Sequence, residues 1–193
     1  MRDWETAFEI LRSFSDWPSI RRNKIREFYV LASQAKNGCI VELGTFRGLG
    51  AISLALGAND GFGAQVFTID DRIPKQGWAG EPYTSEDERY CMQNIKTAGV
   101  SVKTIVGDSI EIAESWDEPV SLLVWDIGAF DRLELDFPVW EKHVVPSGRI
   151  AIKDIPPPGF GRQVVSDNPE WTLERECDTG YVYTYHRFLD RDY

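Results

Sequence analysis

The stretch Cys39-Ile40-Val41-Glu42-Leu43-Gly44-Thr45-Phe46-Arg47-Gly48-Leu49-Gly50 decides the fold. Its first five residues read as a buried strand, and the residues from Leu49 to Leu56 read as an apolar helix. Between them, Gly44 takes a tight turn, while Gly48 and Gly50 let backbone approach closely at a helix N-terminus, where exposed N–H groups suit a carboxylate or phosphate. The spacing E-x-G-x-x-x-G-x-G differs from the dinucleotide pattern G-x-G-x-x-G, and tight packing alone remains an alternative reading of the glycines.

The same alternation continues outward. Val66 to Ile69 is a strand and Ser85 to Ala98 a helix, then Val102 to Val106 a strand and Ile110 to Ser115 a short helix. Val120 to Trp125 is the fourth strand, Leu133 to His143 a helix, and Arg149 to Ile152 the fifth strand, ending at Lys153-Asp154. Strands separated by helices mean right-handed crossovers and a parallel sheet covered on both faces. Trp171 to Cys177 and Tyr181 to Phe188 flank the turn Asp178-Thr179-Gly180 and predict an antiparallel hairpin at one sheet edge. Before Gly38, residues 3–14 and a stretch reaching about Ala35 carry helical periodicity, an N-terminal extension over residues 1–36. The expected organisation is one α/β domain over residues 1–193.

Composition narrows the function. With 21 Lys plus Arg against 31 Asp plus Glu, the net charge is −10, which disfavours nucleic acid as a partner. Cys39, Cys91 and Cys177 share no C-x-x-C spacing, so neither a disulfide framework nor a zinc site is expected. No apolar run reaches the ~18 residues of a membrane span, and Met1 leads into charged Arg2-Asp3, so a cytoplasmic protein without membrane partners is expected. Trp4, Phe8 and Trp17 offer an apolar face for a homodimer.

In an open parallel sheet, ligands bind beyond the carboxyl ends of the strands. The second strand ends in Asp70-Asp71, 26 residues after Gly44, close to the ~20 expected for a carboxylate that accepts ribose hydroxyls, although an acidic turn has the same sequence. The third ends in Gly107-Asp108-Ser109, which reads as an adenine contact or as a plain helix N-cap. The fourth delivers Asp126 and the fifth Lys153-Asp154. Two carboxylates from adjacent strand ends bind a divalent cation through oxygen, or one serves as a base. His143, at a helix end, and His186, on a strand, have structural readings. The long segment from Arg72 to Tyr83 reads as a lid or acceptor-site wall, and Pro156 to Gly161 as a stiff loop beside the cleft.

Taken in order, Val41 to Gly48, Phe67 to Asp70, Gly107-Asp108-Ser109, Leu123 to Asp126 and Pro146 to Asp154 resemble a class I S-adenosylmethionine-dependent methyltransferase. The similarity, over about residues 38–188, is to the small O-methyltransferase-like branch with its catechol-type, macrocin methyltransferase and cephalosporin hydroxylase relatives. The resemblance implies a doubly wound, mostly parallel seven-stranded Rossmann-like sheet whose last hairpin supplies strands six and seven, the seventh antiparallel. It implies S-adenosylmethionine as cofactor and a small-molecule acceptor. By position, Glu42, Gly44, Thr45 and Gly48 would hold the methionine moiety, Asp70 and Asp71 the ribose, and Asp108 and Ser109 the adenine. Asp126 would also contact the cofactor, and Asp126, Lys153 and Asp154 would carry catalysis, with Asp126 and Asp154 as ligands of a Mg2+ ion. The chain departs from the D-G-x-H motif of several members, since Ile127-Gly128-Ala129-Phe130 has no histidine, and Lys153-Asp154 replaces the usual acidic or Asp-Asn pair. Lys153 would then stand in for the metal charge. Two other readings remain: a non-catalytic nucleoside-binding or interaction module, and a nicotinamide-dependent oxidoreductase on the same fold.

Overall fold

The computed structural model describes residues 4–14, 22–72, 84–127, 130–153, 160–177 and 180–185. The strands are β1 (Cys39–Leu43), β2 (Val66–Asp70), β3 (Val102–Val106), β4 (Val120–Trp125), β5 (Val144–Lys153), β6 (Trp171–Cys177) and β7 (Gly180–Tyr185). They form one sheet in the order β3-β2-β1-β4-β5-β7-β6. The first five are mutually parallel, and β7 runs antiparallel to both β5 and β6. This is a mostly parallel α/β Rossmann-like sheet in which chain order reverses between β1 and β4.

Helices α1 (Trp4–Arg12), α2 (Arg22–Gln34), α3 (Leu49–Asp60) and α4 (Ser85–Ala98) precede α5 (Ser109–Glu114), α6 (Phe130–Trp140) and α7 (Phe160–Ser166). Side chains alternate across a strand, and here the alternation assigns each residue to one of two cores. Val41, Leu43, Leu123 and Trp125 face the core built with Leu133, Phe137 and Trp140 of α6. Ile40, Leu122 and Val124 face Phe28, Leu31 and Ala32 of α2 and Leu54, Ala55 and Ala58 of α3. Helix α3 is buried on nearly every side, because the sheet lies beneath it and α1 and α2 cover it. Trp4 stacks on Phe8 and Tyr29 with ring centroids 5.6 and 5.5 Å apart, so the aromatic face foreseen for a second copy packs partly on the chain's own α2. Trp17 lies outside the described residues.

The largest departures from the sequence reading lie around the fifth strand, while α6 runs from Phe130 to Trp140 rather than from Leu133 to His143. Helix α7 starts at Phe160, inside the stretch expected to be a stiff loop, because the prolines end at Pro158 and a single glycine, Gly161, is tolerated in its first turn. The fifth strand begins at Val144 rather than Arg149, and Ser147 accommodates the turn within it at φ 64. No described helix is long and apolar enough to cross a membrane.

Candidate active site

Period-2 alternation that puts Ile40, Val66 and Val124 toward α2 and α3 also puts Glu42, Thr68 and Asp70 on that face, with Asp126 one step beyond the end of β4. Four polar residues from three adjacent strands therefore converge at the carboxyl edge of the sheet. Gly44 makes this possible. Its N–H donates to Ile69 O at 2.8 Å, its φ is +94°, and a Cβ would lie 2.8 Å from Asp126 O, so only glycine fits between the two strand ends.

Asp70 ties the loop down. Its Oδ2 accepts from the N–H groups of Thr45 (2.8 Å) and Phe46 (3.2 Å), and its Oδ1 accepts from Arg72 N–H (2.9 Å). These bonds hold Phe46 and Arg72 at positive φ, 45° and 54°. A carboxylate has about four acceptor positions, so the three backbone donors leave room for a hydroxyl. Arg47 fastens the other side of the loop: its Nε donates to Asp87 Oδ1 at 2.7 Å, and Asp87 also closes the capping box of α4 with Thr84. Burial pushes the Asp87 carboxyl up, but bonds from Thr84 and Arg47 outweigh it and hold it below its ordinary value.

Glu42 lies beneath the loop at 1% exposure. Thr68 Oγ1 donates to its Oε2 at 2.6 Å, which leaves Thr45 Oγ1 to donate to Thr68. Its Oε1 is buried without a hydrogen-bond partner and lies 2.0 Å from where a Cβ on Gly50 would be, so the glycine at the start of α3 clears space for this carboxyl. Burial, followed by the Asp126 charge, pushes the Glu42 carboxyl up to about 8, against weaker lowering by Thr68 and Lys24.

Asp126 meets a partner that no motif announced. Lys24 Nζ of α2 lies 2.5 Å from its Oδ2, with the two side chains 18% and 10% exposed. The ammonium also sits 5.4 Å from the Phe28 ring centroid, one turn further along α2. A lone lysine on an amphipathic helix 102 residues from its partner carries no sequence signal of this role.

Other expected residues have different surroundings. Asp108 caps α5, accepting from Ile110 N–H at 2.9 Å and Glu111 N–H at 3.4 Å, and it pairs with Arg132 at 3.1 Å. Burial raises its carboxyl, but these donors outweigh burial and hold it below the ordinary value. Ser109 turns inward. Its hydroxyl bonds the fully buried Asp136, which also accepts from Trp125 Nε1 (3.2 Å) and Arg132 (3.3 Å). That hydroxyl serves the packing of α5 on α6. Asp71 follows β2, half-buried, and Lys153 ends β5 opposite Gly180. Asp154, His186 and residues 73–83 lie outside the described residues. His143 Nε2 meets Ala113 O at 2.9 Å, and burial pushes its pKa down, as for a packing residue. Burial pushes the Cys39 and Cys91 thiols up to about 12 and about 11, so both are unreactive neutral thiols.

The described residues do not fit a magnesium site. No described group of three or more His, Cys, Asp or Glu could hold a metal ion, and the carboxylate expected to lead such a site already faces an ammonium. They do fit a cationic organic ligand. Three carboxyl groups against one lysine, an orphaned buried carboxyl oxygen and a glycine cradle give a site short of positive charge.

Comparison with known proteins agrees with this architecture. Residues 41–155 match a family described as Methyltransferase domain, and the chain belongs to that family. No curated protein matches the sequence. Among solved structures, it is similar to the S-adenosylhomocysteine-bound methyltransferase PaMTH1 of Podospora anserina, at TM-score 0.69 and 16% identity over 97% of this chain and 89% of that one. The O-methyltransferase from Bacillus cereus in complex with S-adenosylhomocysteine gives TM-score 0.63 at 15% identity, covering 97% and 93%. TomG of Streptomyces achromogenes, an O-methyltransferase in complex with S-adenosylmethionine, gives 0.61 at 19%, covering 96% and 91%. These likenesses show the shared fold.

Proposed function

We propose that the chain is an S-adenosylmethionine-dependent methyltransferase that methylates a hydroxyl oxygen of a small molecule. The observation that carries this is the buried, unpartnered Oε1 of Glu42 below the Gly44–Gly50 turn of a methyltransferase-domain chain. In the free protein this buried carboxyl keeps its proton, and a cationic ligand beside it favours the charged form and so gives the unpartnered oxygen an electrostatic partner. When bound, S-adenosylmethionine supplies an electrophilic methyl group on a positive sulfonium.

The protein's task in such a displacement is positioning and removal of one proton. The loop from Gly44 to Gly48, with Thr45, holds the methionine part above Glu42. Asp70, with its remaining acceptor position and with Asp71 beside it, receives the ribose hydroxyls. Asp108 borders the adenine at the end of β3, with Ser109 shaping that wall from behind. Asp126, at the point where strand order reverses, accepts the acceptor's proton. Lys153, which ends β5, and Asp154, which follows it in sequence, are the further residues proposed for catalysis. The net charge of −10 and the O-methyltransferase neighbours favour a small molecule over a polynucleotide as acceptor.

A thermal melt with S-adenosylmethionine, S-adenosylhomocysteine and NADH tests the reading. A ligand at 100 times its Kd stabilises the native state by about 2.7 kcal/mol, roughly 5–11 °C for a chain of this size. Both adenosyl ligands are expected to raise the melting temperature. A shift with NADH alone, or with none of the three, overturns the proposal.

A further inference from the structure

We propose that Glu42 distinguishes cofactor from product by charge: its carboxyl gives up a proton when a sulfonium ligand is seated over the Gly44–Gly50 turn and keeps that proton when the ligand is a neutral thioether. This rests on the methyltransferase reading above and adds to it a residue that sets ligand specificity.

The argument starts from placement. On the face of the sheet that Glu42 shares, Ile40, Leu122 and Val124 pack into an apolar core, yet position 42 carries an acid at 1% exposure. An aliphatic side chain there would avoid the desolvation cost altogether. The surroundings are shaped to keep the acid. Gly50 leaves open the space that a Cβ would take from Oε1, and Thr68, itself bonded to Thr45 of the turn, donates to Oε2. Because Oε2 is an acceptor, the proton of the neutral acid sits on Oε1, the oxygen that has no hydrogen-bond partner among the described residues.

The neighbouring charges explain why that proton stays. From β2 the carboxyl faces Asp70, whose oxygens accept from three backbone N–H groups. From the end of β4 it faces Asp126, and from α2 Lys24, and these two pair with each other. From α4 comes the neutral Cys91 thiol, bonded to Arg72, while the first turns of α3 carry no titratable side chain. Burial, then the Asp126 charge, hold the Glu42 carboxyl protonated up to about 8, since Lys24 is already engaged by Asp126.

A positive ligand supplies the counter-charge that is missing. Glu42 then releases the Oε1 proton to solvent, and the ligand's charge takes the proton's place. In the transfer the C–S bond breaks, its electron pair stays on sulfur, and the counter-charge is gone, so Glu42 takes one proton back. The acceptor's proton, received by Asp126, balances that return. The site therefore keeps the same net charge when free, with cofactor and with product. One proton is released per methyl transferred, and it is released at cofactor binding. The spent ligand leaves a neutral carboxyl and is not held by the charge that favoured the fresh one.

Calorimetric titrations at pH 6.5, in buffers of different ionisation enthalpy, count the protons that accompany binding. The wild type is expected to release about one proton more with S-adenosylmethionine than with S-adenosylhomocysteine, as linkage to a single group requires. E42Q, whose amide stays neutral and whose ligands titrate as they do with the wild type, is expected to lose that extra proton and to bind S-adenosylhomocysteine as before. Between pH 6 and 7.5 the wild-type Kd for S-adenosylmethionine is expected to fall about 10-fold relative to that of E42Q, within the limit of tenfold per pH unit for one proton. The Kd for S-adenosylhomocysteine is expected to keep a constant ratio between the two proteins. Equal proton counts for the two ligands in the wild type overturn the proposal without recourse to any variant. So does an E42Q protein that releases as many protons as the wild type, or that shows the same pH profile for S-adenosylmethionine. Failure of the methyltransferase reading is separate: there the wild type gives neither binding heat nor thermal shift with either adenosyl ligand.

Discussion

Replacing Glu42 by Gln should abolish a pH dependence of stability that the wild type carries. The side chain is 1% exposed, and its carboxyl is pushed from 4.5 up to about 8, first by burial and then by Asp126. Between those pH values the folded protein keeps a proton that the unfolded chain releases, so stability falls as pH rises through the window. One pH unit corresponds to about 1.4 kcal/mol, and the window spans about 3.5, so the wild type loses on the order of 5 kcal/mol between pH 4.5 and 8 through this group. The amide of the E42Q variant has no proton to lose. Near pH 5 the two proteins should differ little, because the amide keeps an acceptor for Thr68 and places an NH2 group where the acid had a hydroxyl. By pH 8 the variant should be the more stable by several kcal/mol, with the difference growing at up to about 1.4 kcal/mol per pH unit. Urea titrations from pH 5 to 8.5 read this directly: with a slope near 2 kcal/mol/M, the midpoint of the variant should exceed that of the wild type by roughly 1–2 M at the alkaline end. A difference that stays flat across the range would show that Glu42 is ionised throughout and would refute the electrostatic account of the site.

Two further substitutions separate local propensity from packing. Gly57→Ala lies inside α3, where alanine ordinarily gains about 1 kcal/mol over glycine. The new Cβ would stand 2.2 Å from Tyr29 O of α2, so the outcome should be a loss of roughly 1–3 kcal/mol in urea midpoint analysis, and a gain would mean α2 does not rest on α3 as described. Asp136→Ala removes the shared acceptor of Ser109, Trp125 and Arg132 and should cost about 3 kcal/mol, with Asp136→Asn costing less than half as much. Melting temperatures of the two variants check this, and a change in D136A below about 0.5 kcal/mol, the range of an ordinary surface substitution, would refute it.

Much of the architecture was legible from patterning. Short apolar runs such as Val120 to Trp125 read as strands buried on both faces, and β1 and β4 fall where those runs fall, whereas β3, at the sheet edge, is only partly buried. Asp108 was readable as a cap because a cap is a local bond between a side chain and the next turn. The short helix α7 was hidden by the Pro/Gly-rich segment before it. Ser109 was legible as a residue at a strand end, yet its direction depends on Asp136 of another helix.

The alternating elements, the glycine turn after β1 and the acidic residues at strand ends could be read from local stretches of chain, because each is set by neighbours within a few positions. That Glu42 keeps its proton and that Lys24 reaches Asp126 emerges on folding alone. Both follow from burial and charge at the meeting of β1, β4 and α2, and the energy of a charge depends on distance and surrounding water, neither of which is encoded in any local stretch of chain.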